Sequence, residues 1–184
     1  ETLELTRRYL TEDGGVVAAD LAGAEALFPT EDFEMLFAKA GEYNIPFTIH
    51  AGEAGDADDV RTAIRMGARR IGHGVRIAGH EDVIALVKDK GIFLEMCPTS
   101  NRQTKAVDDM SKYPLKDFLE RGIKVTLNTD DPAIECTTLA QEFTYMEQLA
   151  ELSPEQEKQL LLNSVEAAFT SDARKEDLRR QILS

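Results

Sequence analysis

Three short apolar runs in the sequence each end in residues that suit acid–base or metal chemistry. They are Phe47-Thr48-Ile49 before His50-Ala51-Gly52-Glu53, Arg70-Ile71-Gly72 before His73-Gly74, and Val125-Thr126-Leu127 before Asn128-Thr129-Asp130-Asp131-Pro132. The runs are spaced like successive strands of one sheet. Because α/β proteins carry their chemistry at the carboxyl ends of strands, the sequence predicts a site assembled at one sheet edge.

The two histidines at these ends have different neighbours. His50 lies three residues before Glu53, and the small residues between them let a ligand approach, so that Glu53 can lie beside whatever His50 binds. A structural hydrogen-bonding histidine is the alternative. His73 lies between two glycines, which are costly in a strand. Close approach of a substrate and a tight turn both explain them, and the sequence leaves both open.

The adjacent pair Asp130-Asp131 follows an apolar run and precedes Pro132. Neighbouring carboxylates repel each other unless a cation or a proton intervenes. A helix N-cap before Pro132 explains one aspartate but not two. We therefore expect one carboxylate to bind an ion and the other to orient a substrate.

Strand-like and helix-like segments alternate along most of the chain and must position these residues. Strands are predicted over 16–20, up to His50, up to His73, over 92–96 and over 124–128; helices are predicted over 30–43, 58–66, 81–88 and 115–120, and then over 138–151, 154–170 and 175–183. The strand segments look apolar on both faces, which indicates a parallel sheet covered by helices, the α/β class. No linker or repeat divides the chain, so we expect a single domain over 1–184.

Composition excludes several classes of partner. Of the 184 residues, 42% are hydrophobic and 30% charged, with a formal net charge of -13. Such an acidic surface repels nucleic acid and anionic lipid, so neither nucleic acid nor a membrane is an expected partner. Cys97 and Cys136 form no disulfide framework, which favours a reducing, cytoplasmic location. We expect Cys97 to be a packing residue within a loop that Ser100 and Asn101 close.

Taken together, the motifs resemble the adenosine deaminase family of zinc hydrolases. The matching segments, in the family's order, are Asp20-Leu21-Ala22-Gly23, His50-Ala51-Gly52-Glu53, Gly72-His73-Gly74, Cys97-Pro98-Thr99-Ser100-Asn101 and Asn128-Thr129-Asp130-Asp131-Pro132. The resemblance implies a (β/α)8 barrel, one zinc ion at the carboxyl ends of its strands, and a purine nucleoside substrate that is hydrolysed to inosine and ammonia.

The resemblance also implies a role for each site residue. His50 and Asp130 would be zinc ligands, and Glu53 would give a proton to N1 of the purine as water adds at C6. His73 would orient or deprotonate the attacking water. For substrate binding, Asp131 would contact N7 and the backbone of Gly23 would contact N3.

One departure from the family is large. The family's first strand carries a His-x-His pair with two further zinc ligands, whereas the only histidines here are His50, His73 and His80. A catalytic zinc site normally has three protein ligands, and a full barrel takes about 250 residues. We therefore expect a C-terminal portion that lacks the first three strands, holds zinc weakly or not at all, and is inactive alone.

Two alternatives stay open at this point. The chain could be an adenine deaminase of the same family. An AMP deaminase is disfavoured, because no basic cluster lies near the motifs to bind a phosphate. It could also be a non-catalytic partial barrel that self-associates or pairs with the missing N-terminal segment, because an open sheet exposes its edges.

Overall fold

A parallel sheet of five strands forms the centre of the molecule. The computed structural model describes residues 1–184. The strands are β1 (Ala19–Leu21), β2 (Phe47–Ala51), β3 (Arg70–His73), β4 (Phe93–Met96) and β5 (Lys124–Leu127). They lie side by side in chain order and every neighbouring pair is parallel, as the alternation of segments predicted. The first strand begins three residues later than predicted.

Ten α-helices connect and flank these strands. They are α1 (Thr2–Tyr9), α2 (Glu34–Glu42), α3 (Ala57–Met66), α4 (Glu81–Lys90), α5 (Pro98–Gln103), α6 (Leu115–Glu120), α7 (Pro132–Glu135), α8 (Leu139–Ala150), α9 (Pro154–Ala167) and α10 (Asp172–Leu183). Short 3-10 turns lie at Thr30–Phe33, Val75–Ile77 and Met110–Lys112. No helix combines the length and the apolar composition that crossing a bilayer requires.

Local signals fix several helix ends. Asp56 begins α3 and Ser153 begins α9 with reciprocal capping boxes, which satisfy backbone N–H groups that have no partner within the helix. Gly67 and Gly91 end α3 and α4 in the left-handed conformation, as predicted, because glycine adopts it without a steric penalty. The expected loop at Cys97–Asn101 is wrong, since Pro98 is the first residue of α5.

The two faces of the sheet differ, so the expectation of strands that are apolar on both faces is also wrong. One register row, Leu21, Ile49, Ile71, Leu94 and Val125, is apolar. Its last four members belong to the buried core with residues from α3, α4 and α6. The rows on the opposite face consist of Asp20, Thr48, Arg70, Phe93 and Lys124, and then of His50, Gly72, Glu95 and Thr126. Polar groups on this second face pair with each other; for example, Thr48 donates to Glu95 at 2.7 Å.

Candidate functional site at the carboxyl ends of the strands

His73 lies at the centre of a cluster formed by the ends of β2, β3 and β5. Its side chain is only 1% exposed, and its Nε2 lies 3.4 Å from Glu53 Oε2 and 3.7 Å from Asp130 Oδ2. Glu53 comes from the loop after β2 and Asp130 from the loop after β5. Parallel register brings these ends to one edge, so a buried imidazole faces two partly exposed carboxylates there.

His50 lies beside this cluster on β2. Its ring meets the ring of His73 edge-to-face, with 4.9 Å between centroids, and its Nε2 lies 3.7 Å from Asp20 Oδ2. Burial disfavours the charged imidazolium and by itself would lower the pKa of His50. Asp20 acts in the other direction through a hydrogen bond and its charge, as do the charges of Asp130 and Glu53. Together they outweigh burial, so the pKa of His50 is raised.

The pKa of His73 shifts in the opposite direction. Burial lowers the pKa of His73, and the charge of His50 lowers it further, although Glu53 and Asp130 act in the other direction. The pKa values of two histidines at one edge are therefore shifted in opposite directions, because their environments differ.

Two residues of the cluster have unusual backbones. His73 has φ of 65° and Asp130 has φ of 62°, in the left-handed region that non-glycine residues rarely adopt. Each such residue costs about 1–3 kcal/mol and persists only where the surrounding structure enforces it. Strain of this kind is concentrated at functional sites, and here it directs both side chains into the cluster.

The glycines around His73 have packing reasons. A Cβ on Gly72 would lie 2.6 Å from Cδ2 of His50, so the His50 ring occupies the space that a side chain would take. Gly74 has φ of 65°, and a Cβ there would lie 2.8 Å from Leu94 Cδ2. Gly74 thus serves a tight turn, one of the two explanations left open by the sequence, and Gly72 serves the placement of His50.

Glu25, a residue that the sequence analysis did not select, holds the loop after β2. Its carboxylate accepts hydrogen bonds from the backbone N–H groups of Gly52, Glu53 and Ala54, at 2.6, 3.1 and 2.7 Å. Three charge-assisted bonds to consecutive amides fix the path of the chain that carries Glu53. No local motif reveals this role, because Glu25 lies 28 residues before Glu53 in the chain.

Helix α5 supplies further partners from a segment expected to be only structural. Ser100 Oγ donates to Asp130 Oδ2 at 2.7 Å, and Thr104 Oγ1 lies 3.1 Å from Glu53 Oε1. Asn101 Nδ2 lies 2.9 Å from His73 Nδ1. Cys97 is buried, and burial raises the pKa of its thiol well above the usual range, in keeping with the packing role expected for it.

The two residues expected to bind substrate lie around this cluster. Asp131 is exposed at the start of α7 and its side chain makes no capping hydrogen bond, so capping does not explain the second aspartate. Gly23 is exposed, with φ of 137° and open space where a Cβ would be. It lines a small cavity together with Leu21, Phe28 and His50.

Metal-ligand atoms gather in two overlapping groups. His50, Glu53 and His73 form one, and His73, Cys97 and Asp130 form the other, with the ligand atoms of each group within 4.8 Å of one another. Imidazole and carboxylate are donors that zinc accepts, so the chemistry of the set fits zinc. Neither group contains both His50 and Asp130, and these two provide fewer protein ligands than a catalytic zinc site normally has.

Comparison with known proteins assigns the family. The family model described as adenosine deaminase matches residues 1–184. A curated adenosine deaminase of Haemophilus ducreyi is 48% identical over 183 residues, 99% of this chain and 53% of the relative. One from Enterococcus faecalis is 43% identical over 168 residues, 91% of this chain and 50% of the relative. The chain thus spans about half the length of the curated relatives it matches.

Solved structures agree with this match. An adenine deaminase from Arthrobacter aurescens superposes with a TM-score of 0.89 at 31% identity, covering 98% of this chain and 56% of its own. An amidohydrolase from Burkhoderia ambifaria with bound zinc gives 0.88 at 22% identity, covering 99% and 51%, which supports the fold alone. The expected fold, five C-terminal β/α units of a (β/α)8 barrel with closing helices, is confirmed. The chain belongs to the adenosine deaminase family.

Proposed function

We propose that this chain is part of a zinc-dependent purine nucleoside aminohydrolase that converts adenosine or deoxyadenosine to inosine and ammonia. The observation that carries the proposal is the convergence of Glu53 and Asp130 on the buried His73, at 3.4 and 3.7 Å. Membership of the family supports the reaction type. We also propose that residues 1–184 form one domain that lacks the first three strands of the barrel.

The residues of the chain divide the work of the reaction. Water adds to C6 of the purine as N1 receives a proton, and the amino group leaves as ammonia. Of the two protons of the water, one restores the proton given to N1 and the other leaves with the amino group. Glu53 is the proposed proton donor. Thr104 holds its Oε1 and Glu25 holds its loop, so the carboxyl group has a fixed position from which to give a proton. His73 positions the attacking water, Asp131 binds N7, and the backbone of Gly23 meets N3.

Zinc would be held by His50 and Asp130, with further ligands from outside this chain. When bound, it would lower the pKa of water toward neutrality and so supply a nucleophile. Only the uncharged ring of His50 can bind a metal, and the carboxylates that raise its pKa oppose the loss of its proton. We propose that the 184-residue chain by itself retains zinc weakly or not at all.

A chimeric protein tests the function. It joins the part of the Haemophilus ducreyi relative that this chain does not cover to residues 1–184, and the loss of adenosine absorbance measures its activity. We expect turnover by the chimera and none by residues 1–184 alone. Glu53→Gln in the chimera should lower kcat by about 10²–10⁴ because a general acid is lost, whereas Glu31→Gln, an exposed change, should not.

Two outcomes would contradict this assignment. A folded, zinc-loaded chimera without adenosine turnover would refute the function, and turnover by residues 1–184 alone would refute the proposed inactivity. Faster turnover of adenine than of adenosine would favour the second candidate, an adenine deaminase. That candidate is supported by the superposition on the enzyme from Arthrobacter aurescens.

We propose a cytoplasmic location for the protein. Cys97 and Cys136 are both free, the first buried and the second exposed. An exposed free thiol is compatible with a reducing compartment. A labelled copy of the full protein found in the soluble reducing fraction of the cell would agree with this, and a disulfide through Cys136 in the isolated protein would contradict it.

A further inference from the structure

Two buried polar side chains, linked by a hydrogen bond, reach His73 from the side opposite its carboxylates. Asn101 on α5 is fully buried, and its Nδ2 lies 2.9 Å from Nδ1 of His73. The hydroxyl of the buried Tyr113 lies 2.9 Å from Oδ1 of the same amide. His73 thus makes one side-chain hydrogen bond through Nδ1 while its Nε2 faces Glu53 and Asp130.

The partners of Asn101 determine which end of its amide faces the histidine. Nδ2 also lies 3.4 Å from Oε1 of Glu53, a carboxylate that accepts and does not donate when ionised. Tyr113 has a hydroxyl proton to give, and Oδ1 is the acceptor within its reach. The contact with ionised Glu53 places the NH₂ group toward His73, because the reversed amide would set Oδ1 against a carboxylate oxygen. The hydroxyl of Tyr113 then donates to Oδ1 and holds the amide in this orientation.

An amide NH₂ can only donate, so the Nδ1 of His73 must accept. We propose that Asn101, held in place by Tyr113, is a positioning residue that selects, for the uncharged His73 ring, the tautomer with its proton on Nε2. The imidazole then presents an N–H to Glu53 and Asp130 and has no free lone pair there. His73 consequently acts on water as a hydrogen-bond donor, and the alternative role as a base at Nε2 is excluded.

This role of Asn101 in catalysis rests on the proposed function, but the tautomer is a property of the chain that can be measured without activity or zinc. Histidine labelled with ¹⁵N in residues 1–184 shows by two-bond ¹H–¹⁵N correlation which ring nitrogen carries the proton. The spectrum is recorded well above the ordinary histidine pKa of about 6.5. Substitution of His50 and His80 by glutamine, one at a time, assigns the signals.

We expect the Nε2–H pattern for His73 in the unmodified chain. Asn101→Asp replaces the donor by an acceptor, so Nδ1 should carry a proton whether the ring is neutral or charged. Tyr113→Phe removes the hydrogen bond that holds Oδ1 of the amide, so both amide orientations become accessible and a mixture of tautomers should result. Thr104→Val is the matched control, because Thr104 contacts Glu53 but not His73, and it should leave the His73 pattern unchanged.

The outcomes separate the proposal from a merely structural role. An Nδ1–H pattern in the unmodified chain would overturn the proposal, and so would an Nε2–H pattern that persists in folded Asn101→Asp. If Asn101→Asp does not fold, Tyr113→Phe decides by the same measurement, with an unchanged pattern counting against the proposal. All these spectra remain interpretable if the chimera shows no deaminase activity. The proposed function and the proposed tautomer of His73 are therefore tested separately.

Discussion

At the scale of single residues, the site depends on side chains that hold other side chains in place. Glu53 and His73 are the groups proposed to act. Ser100 and Asn101 on α5, and Thr104 directly after it, each contact one of the acidic or imidazole groups. Gly72 contributes by having no side chain at all. Its absent Cβ leaves the space in which the His50 ring lies.

Gly72→Ala tests this role. The added methyl group would lie 2.6 Å from Cδ2 of His50, so we expect the ring to move away from its position beside His73. A misplacement of about 1 Å costs about 100-fold in rate, so kcat/KM of the chimera should fall by about that factor. Gly41→Ala, in α2 with open space around it, is the control and should leave kcat/KM unchanged. Equal kcat/KM for the two variants would contradict the role of Gly72.

At the scale of elements, residues distant in sequence fix a loop after a strand and a turn between two helices. Glu25 bonds three successive amides after β2, and Asp13 bonds the turn before α10, accepting from the backbone of Ser171 at 3.0 Å and from Thr170 Oγ1. Each contact joins segments that no local pattern connects. Replacing the carboxylate by an amide removes one acceptor oxygen from either contact.

Glu25→Gln should destabilise the chain. The amide keeps one acceptor oxygen but places an NH₂ group against backbone donors, so at least one N–H loses its partner. We expect the free energy of unfolding to fall by about 1–3 kcal/mol in urea titration. Exposed Glu31→Gln should change it by less than about 0.5 kcal/mol. If both variants unfold at the same urea concentration, Glu25 does not hold this loop.

The contact of Asp13 predicts a dependence on pH. Hydrogen bonds from Ser171 and Thr170 lower the pKa of Asp13 from 3.8 to about 2. Because the folded-state pKa is depressed, the contribution to stability is complete above the unfolded value of 3.8 and is lost as pH falls toward 2. Urea titration should show the difference between the parent and Asp13→Asn shrinking over this window. Asp108→Asn, an exposed change, should show no such trend, and a constant difference for Asp13→Asn would contradict the linkage.

At the scale of the whole molecule, the sheet is open. β1 and β5 each pair on one side only, and large apolar side chains are exposed, among them Leu27 at 75%, Phe28 at 58% and Met35 at 87%. Open strand edges and apolar surface favour association. The net charge of -13 opposes it through repulsion.

We therefore predict that residues 1–184 self-associate when no complementary segment is present. Size-exclusion chromatography with light scattering should show a mass above that of one chain, increasing with concentration and with salt, because salt screens the repulsion between acidic surfaces. The double change Leu27→Lys and Met35→Lys should reduce the association. A monomer at every concentration and salt level would refute the prediction.

The sequence by itself determined the parallel order of the strands and most helix ends. Apolar runs, caps such as Ser153 and glycine stops such as Gly91 act over a few residues, so local patterns report them. It also selected His50, Glu53, His73, Asp130 and Asp131, because these lie at the ends of strands or shortly after them. The role of each remains a prediction from the family resemblance.

The tertiary structure alone decided the contacts between distant segments. The bonds of Glu25 to the loop after β2, of Asn101 to His73 and of Tyr113 to Asn101 join residues 12 to 29 positions apart in the chain. Nor did the sequence show that one sheet face is polar, because the register of five strands places Thr48 beside Arg70 and Glu95 beside Thr126. Strand composition shows which residue types are present, whereas only packing determines which of them meet.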